Sequence, residues 1–434
     1  MSERPLVHVV VVDHDGGDLT LACLRSILAS DWPADRLRVV LVDNASKRPV
    51  TDTVARDLPG VRVIASPENR GFAGGANLGM RERGDADAVA LVNNDAEVTR
   101  GWLTPLAATL ASGPRVGAAC PKILLTTPAI EIGITARTHR RGRGDGRALG
   151  VRVSGARVDG VDVWGRSQLV DGFWGFEPMP PDESGAQWTG AGATVRVPVA
   201  AGAPVDTPPV IELRLAADGP TPVDVTSGAT DTALVVDRVP GWHTIASAAA
   251  PVEVINNVGS VIGPDGAGAD RGWLEVDRGQ YVEPADVAAW CGAAVLLARA
   301  YLDDVGLFDE RLFLYYEDVE LSLRGARRGW HYVTAPASVV RHVHSATSVE
   351  GSPLSFHYNE RNRLLVVGSA ASAPGAVRTF AHHLAVTGSY ALRDVASPLL
   401  HGSRPHAAIV TRRLRALGAA AIRLPGMRRH PPSA

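Results

Sequence analysis

Two short acidic stretches carry the residue types and spacing that could do chemistry. The first, Asn93-Asn94-Asp95, ends the apolar run 88–92. A continuous apolar run of this length reads as a strand buried on both faces of a parallel sheet. Polar residues that end such a strand sit at its carboxyl edge, where open α/β sheets receive ligands. One carboxylate beside two amides suits a hard divalent cation that keeps water and phosphate oxygens as its other ligands. A turn built on Asn and Asp accounts for the same residues. The second stretch, Glu317-Asp318, opens a helical pattern that closes with Arg324, Arg327, Arg328 and Gly329. Acids in the first turn and arginines in the last follow the helix dipole. A carboxylate at a helix start beside a crevice is equally suited to act as a fixed general base. His342 and His344 follow a short strand pattern and suit a metal or a phosphate; an isolated histidine is more often structural.

Positioning these groups requires an alternation of strands and helices. Apolar runs at 6–12, 38–42, 61–65 and 88–92 alternate with helical patterns at 20–28 and 78–83, and the runs end in acids or amides such as Asp13-His14-Asp15 and Asp43-Asn44. That order predicts a doubly wound α/β sheet with a ligand crevice at its carboxyl edge. The stretch 69–77 contains Gly71, Gly74 and Gly75, which do not form GxGxxG and do not follow the first strand. It is poor support for a dinucleotide. Its small residues let a helix N-terminus approach a ligand or let the helix pack closely on the sheet.

From residue 126 the pattern changes to short β-type segments at 151–163, 193–199, 210–215, 221–225 and 232–236, broken by Pro, Gly and Asp. Residues 211–215 alternate apolar and charged, giving one dry and one wet face. Several such strands predict a β-sandwich. Trp164, Trp174, Trp188 and Trp242 fall in this region, and packing is the commoner use of large aromatics than stacking on sugars. The α/β pattern resumes near residue 251, so 126–250 reads as a domain inserted at a surface loop. Residues 290–297, beginning Trp290-Cys291-Gly292, read as another buried strand. The domains expected are 1–125, 126–250, 251–356 and a helical region 357–434.

The chain has 434 residues, 45% of them hydrophobic and 21% charged, and a formal charge of −2. These are values of an ordinary globular protein, and they give no reason to expect nucleic acid as a partner. The charge is uneven: from His357 onward there are eleven Arg, no Lys, one Glu and one Asp. Such a tail points to an anionic surface, and its basic amphipathic helix suits anionic lipid; packing on the rest of the chain accounts for it equally. Cys23, Cys120 and Cys291 are widely spaced, which fits a reducing compartment better than a disulfide framework. No signal peptide and no spanning segment are expected, so the location expected is cytoplasmic, at the inner face of the membrane.

Several separate segments agree with one family. These are Asp13-His14-Asp15, Leu41-Val42-Asp43-Asn44-Ala45-Ser46, Asn69 to Asn77, Leu91 to Asp95, Cys291-Gly292, Phe308-Asp309-Glu310, Tyr316-Glu317-Asp318 and the His342 segment. In this order the chain resembles bacterial family 2 glycosyltransferases, especially their rhamnosyltransferase-like branch. The resemblance implies a GT-A type doubly wound mixed sheet, here with an inserted all-β sandwich domain and a C-terminal helical tail. It implies that Asp13, Asp43, Asn69, Gly71, Asn77, Asn93, Asn94 and Asp95 meet a nucleotide-sugar donor. Asp95 and His342 would hold a divalent metal, Mg2+ or Mn2+. Trp290, Cys291, Gly292 and Tyr316 would meet the acceptor, a glycan or polyprenyl-linked molecule. Asp318, with Glu317 beside it, would be the catalytic base of an inverting transfer. Asn93 stands where a full DxD motif has its first carboxylate, so metal binding would rest mainly on Asp95. The alternatives are a carbohydrate-binding protein on a degenerate scaffold, and a nucleotidyltransferase. The second lacks its basic glycine-rich loop, because residues 13–17 contain no Lys or Arg.

Overall fold

The computed structural model describes residues 4–140, 147–174, 186–200, 208–263, 266–343, 352–400, 405 and 407–429. They form two compact units. The first comprises residues 1–126, 255–273 and 279–434, and the second residues 127–254 and 274–278.

The first unit is built on a ten-stranded sheet. Its parallel part runs β3 (Val61–Ala65), β2 (Leu37–Asp43), β1 (Val7–Asp13) and β4 (Ala88–Asn93). Beyond β4 the sheet turns mixed. β6 (Ala294–Ala298) lies antiparallel to β4 and to β5 (Val116–Leu125), and β7 (His331–His342) runs parallel to β5. The two-residue strand Asp286–Val287 closes that edge, while Ala96–Val98 adds to β7 and Ile255–Asn257 to β5.

Alternation along β1 sends Val7, Val9 and Val11 into one apolar layer and Val10 into the other, as successive strand side chains must. The first layer is covered by α1 (Asp18–Leu28) through Leu21, Leu24 and Ile27. The second is covered by α2 (Gly71–Arg81) through Ala73, Ala76 and Met80. A β-carbon at Gly75 would lie 2.7 Å from Val12 Cγ1 and one at Gly79 2.3 Å from Val10 Cγ1, so this helix sits closer to the sheet than larger residues there permit. Close helix–sheet packing is therefore one use of the glycine-rich stretch.

Four further helices matter below: α3 (Glu317–Ala326), α4 (Pro353–Ala370), α5 (Ala373–Ala391) and α6 (Ala408–Arg429). A π-turn at Leu392–Ala396 and the short helix Ser397–Leu400 extend α5. No described helix is long and apolar enough to cross a membrane.

The second unit is all β. Its strands form one hydrogen-bonded, nearly closed barrel-like network of nine rather than two separate facing sheets. The cause is the twelve-residue strand Gln187–Pro198. Its later half pairs with Ala129–Ala136, and its first residues pair with Arg152–Val158. Residues Ile211, Leu213 and Leu215 point into the core. Trp188 is buried, whereas Trp164, Trp174 and Trp242 are half-buried. The Arg157 guanidinium lies 3.9 Å over the Trp242 ring.

Candidate functional site

The parallel strands end in side chains that first organise one another. Asp13 is fully buried. Its Oδ1 accepts from Thr20 Oγ1 at 2.6 Å, Asn94 Nδ2 at 2.8 Å and Gly16 N at 3.0 Å. The carboxylate thus ties the end of β1 to the start of α1 and to the loop after β4. Asp43 accepts from Ser46 N at 3.0 Å. Neither carboxylate is among the residues that line the cavity described below.

Asn44 contributes to the cavity wall instead. Its amide donates to Gly71 O at 3.0 Å and Asn69 Oδ1 at 3.2 Å, and its oxygen accepts from Arg70 N at 2.9 Å. Asn69 also accepts from Gly71 N at 2.8 Å and meets His14 Nε2 at 3.2 Å. Gly71 takes a left-handed φ of 67°, and a β-carbon there would lie 2.1 Å from Phe313 O. Only glycine fits this approach. Asn77 is buried away from the cavity, where it donates to Phe308 O and Glu310 Oε1, both at 3.0 Å. It clamps α2 to the segment that leads toward α3.

Asp95 and His342 meet across the sheet. His342 Nε2 lies 3.0 Å from Asp95 Oδ1 and 3.5 Å from Asn93 Nδ2, and Nδ1 lies 2.7 Å from Asn256 Oδ1. Both the carboxylate and the imidazole are buried. β7 delivers the histidine at its final residue.

Glu317 and Asp318 open α3 after an unusual approach. Phe313, Tyr315 and Tyr316 all have φ between 66° and 68°, a region that costs a bulky residue free energy unless its surroundings enforce it. The enforcement comes from α4. Asn362 Nδ2 lies 2.9, 2.8 and 2.7 Å from the carbonyl oxygens of Leu312, Leu314 and Tyr315, and Arg361 donates to the carbonyls of Arg311 and Leu312. Asp318 Oδ2 accepts from Gly292 N at 2.9 Å and Oδ1 from Val319 N at 2.8 Å. Burial raises the Asp318 carboxyl above its usual range, against the pull of these backbone N–H groups. Burial, reinforced by the Asp318 charge, pushes Glu317 well above its own usual value, and Glu317 Oε2 has no hydrogen-bond partner. The larger upward push falls on Glu317, so of the two carboxyls Asp318 is the one favoured to ionise first.

Asp95, His342, Glu317 and Asp318 all line one cavity of about 570 Å³ in the first unit, with His14, Asn44, Asn69, Gly71, Asn93, Asn94, Cys291 and Gly292 among its other walls. A smaller cavity of about 180 Å³ shares Asp270, Tyr315, Glu317 and Asp318 and adds Tyr316 and Asn359. Trp290 reaches neither; it is fully buried, with its ring centroid 5.9 Å from that of Phe308. His344 lies outside the described residues. Asn256 and Asp270 are wall residues that the sequence does not point to, and His14 and Asn44 stand in the strand-end segments without a role of their own. Asn44 carried a signal, an amide directly after a strand-terminal acid. Asn256 and Asp270 lie beyond the all-β segment, with no motif around them.

The Asp95–His342 pair fits a divalent cation in one respect. An amide oxygen on Nδ1 fixes the ring so that Nε2 faces the carboxylate, the supporting arrangement of a metal-binding histidine. Among the described residues, no group of three or more His, Cys, Asp and Glu side chains is disposed to hold a metal. An ion here needs ligand oxygens from elsewhere, as cations bound with diphosphates have.

Residues 8–154 match the model described as glycosyl transferase family 2, and residues 278–364 match that of glycosyltransferase-like family 2. Ninety residues are 38% identical to the N-acetylglucosaminyl-diphospho-decaprenol L-rhamnosyltransferase of Mycobacterium tuberculosis, in strains CDC 1551 and H37Rv. They cover 20% of this chain and 29% of the relative, so the match spans less than a third of the curated protein. Among solved structures, the mannosyltransferase PcManGT of Pyrobaculum calidifontis, in complex with GDP-Man and Mn2+, aligns with a TM-score of 0.43 and 15% identity over 98% of this chain and 88% of that one. GalNAc-T7 with UDP, GalNAc and Mn2+ aligns with a TM-score of 0.43 and 14% identity over 83% and 48%.

Proposed function

We propose that this chain, a member of the family 2 glycosyltransferases, uses the 570 Å³ cavity to move a sugar from a nucleoside diphosphate to an acceptor hydroxyl with inversion. The observation that carries this reading is that the Asp95–His342 pair and the Glu317–Asp318 pair line the same cavity. In a GT-A type reading the walls around Asn44, Asn69 and Gly71 receive the nucleotide, and the sugar lies between the two acidic pairs. Rhamnose is the first donor sugar to test, since it is the sugar named for the Mycobacterium relative. The acceptor proposed is a glycan or a polyprenyl-linked molecule, entering past Cys291 and Gly292. Asp13, Asp43 and Asn77 act behind the walls, by holding the strand ends and α2.

Asp318 accepts the proton of the acceptor hydroxyl as that oxygen bonds to the anomeric carbon. The bond from that carbon to the diphosphate oxygen breaks on the opposite face, and its electron pair leaves with the nucleoside diphosphate. The charge at the sugar passes through an oxocarbenium-like state, for which the Asp318 carboxylate is a favourable neighbour. Asp95 and His342 would hold a divalent cation, whose chemistry when bound is to neutralise charge on the departing diphosphate. Burial disfavours the charged form of Glu317, which leaves Asp318 as the carboxylate that takes the proton.

The test is a screen of nucleotide sugars for release of nucleoside diphosphate with and without Mn2+ or Mg2+. In the same assay Asp318→Asn is expected to lower turnover by roughly 10²–10⁴-fold while donor binding persists. Unchanged turnover would remove the role given to Asp318, and release with no sugar or cation dependence would remove the reading itself.

A further inference from the structure

The C-terminal helices of the first unit expose several large apolar side chains. Of fifteen large apolar side chains exposed among the described residues, eight lie beyond residue 352. Val377, Leu384, Leu392, Leu399 and Leu400 are between 49% and 84% exposed along α5 and its extension, and Ile422 on α6 is 79% exposed. The seven-residue step from Val377 to Leu384 returns to the same face of α5, and Leu392, Leu399 and Leu400 continue the exposed apolar side chains along its extension. The core-facing side of α5 is a different one, buried through Ala376, His383 and Thr387.

Charge says what covers the stripe. Arg378, Arg415 and Arg423 have exposed side chains on these helices and no acidic partner among the described residues. The only acids from His357 onward are Glu360 and Asp394. Glu360 is paired with Arg363, His383 and Arg413, and Asp394 with Arg393. An apolar stripe flanked by unopposed arginines repels a second copy of itself, because a two-fold contact sets like charges face to face. A surface of phosphate headgroups over acyl chains satisfies both features at once.

We propose that the outward faces of α5, its extension and α6 dock on an anionic lipid bilayer, with the apolar stripe entering the headgroup boundary and the arginines pairing with lipid phosphates. The inference is independent of the transfer reaction, since docking needs neither donor nor acceptor.

The test uses the full chain and flotation with two kinds of vesicle, phosphatidylcholine alone and phosphatidylcholine mixed with phosphatidylglycerol, at low and high salt. The wild type is expected to float with the anionic vesicles only, and less so at high salt. Two variants keep the test decisive: Leu384→Ser with Leu392→Ser and Leu399→Ser, and Arg378→Glu with Arg415→Glu. Each is expected to lower partition by about tenfold or more while thermal unfolding and nucleoside diphosphate binding match the wild type. Absence of flotation with both vesicle types would overturn the proposal. So would equal partition of wild type and variants, or self-association in sedimentation that the serine variant abolishes.

Discussion

His342 Nδ1 lies 2.7 Å from the side-chain oxygen of Asn256, and that contact decides what the opposite nitrogen offers Asp95. An amide oxygen only accepts, so Nδ1 carries a hydrogen and Nε2 is the nitrogen left to meet the Asp95 carboxylate 3.0 Å away. Two electron-rich atoms so close call for a proton or a cation between them. Asn256→Ala is therefore expected to weaken Mn2+ affinity by about 10–100-fold, read by calorimetry in the presence of nucleoside diphosphate. Affinity equal to the wild type would show that the ring is oriented by something else.

The acidic pair at the start of α3 makes a prediction for stability as well as catalysis. Burial raises the folded value of Glu317 above its unfolded one, so its carboxyl penalises the native state at neutral pH and stops doing so as pH falls into the ordinary carboxylate range. Glu317→Gln is expected to raise Tm at pH 7, with the gain fading on acidification. A variant less stable than the wild type at neutral pH would contradict this account. For the same reason the acid limb of kcat/KM, governed by the Asp318 carboxyl that burial raises, is expected above the usual aspartate range.

Asn362 bridges α4 to the left-handed turn before the acidic pair through three carbonyls. Its replacement by alanine takes one donor from each carbonyl, with Arg361 still on that of Leu312, and removes the restraint on three costly φ angles. A loss of about 2–4 kcal/mol is expected, together with a fall in kcat from displacement of Asp318. Wild-type denaturant midpoint and turnover in Asn362→Ala would refute the link.

Glu360 supplies a pH dependence of opposite sign. Burial alone would raise it, but the His383 hydrogen bond and the Arg413 and Arg363 guanidinium groups hold its carboxyl down at about 2. A depressed folded value contributes stability above the ordinary glutamate range that is lost as pH falls toward about 2. The difference in unfolding free energy between wild type and Glu360→Gln is expected to reach roughly 3 kcal/mol at neutral pH, less whatever solvent screening removes. It should shrink below about pH 4.5. A difference that does not change with pH would dissociate the shift from stability.

In the all-β unit, Ala129 and Val252 exchange backbone hydrogen bonds of 3.0 and 2.8 Å, so its chain ends leave side by side. Replacing residues 127–254 with a short Gly-Ser linker is expected to leave a folded first unit that binds nucleoside diphosphate within about threefold of the full chain. Loss of cooperative unfolding in the shortened protein would show that the first unit does not stand alone.

What the linear chain dictated is local. Apolar runs with polar ends specified β1, β2, β3 and β4 and the edge at which their acids emerge. Acids ahead of an apolar period and arginines behind it specified α3, and the run of arginines specified a basic tail. Those signals arise from a residue and its near neighbours, through strand and helix periodicity. Long-range placement decided the rest. Asp13, Asp43 and Asn77 look like ligand residues in sequence; in the fold they hold strand ends and α2 through hydrogen bonds and lie outside the cavity wall, while Asn44 and Asn256 line it. Trp290 follows the apolar pattern of a strand, and only packing against Phe308 places it in the core behind the cavity wall. The strand Gln187–Pro198 serves both halves of a nearly closed network because it is long enough to bend from one to the other, which a count of strands does not convey. Asp95 meets His342 across 247 residues of chain, a separation at which no periodicity carries information and only the closing of the sheet brings two side chains together.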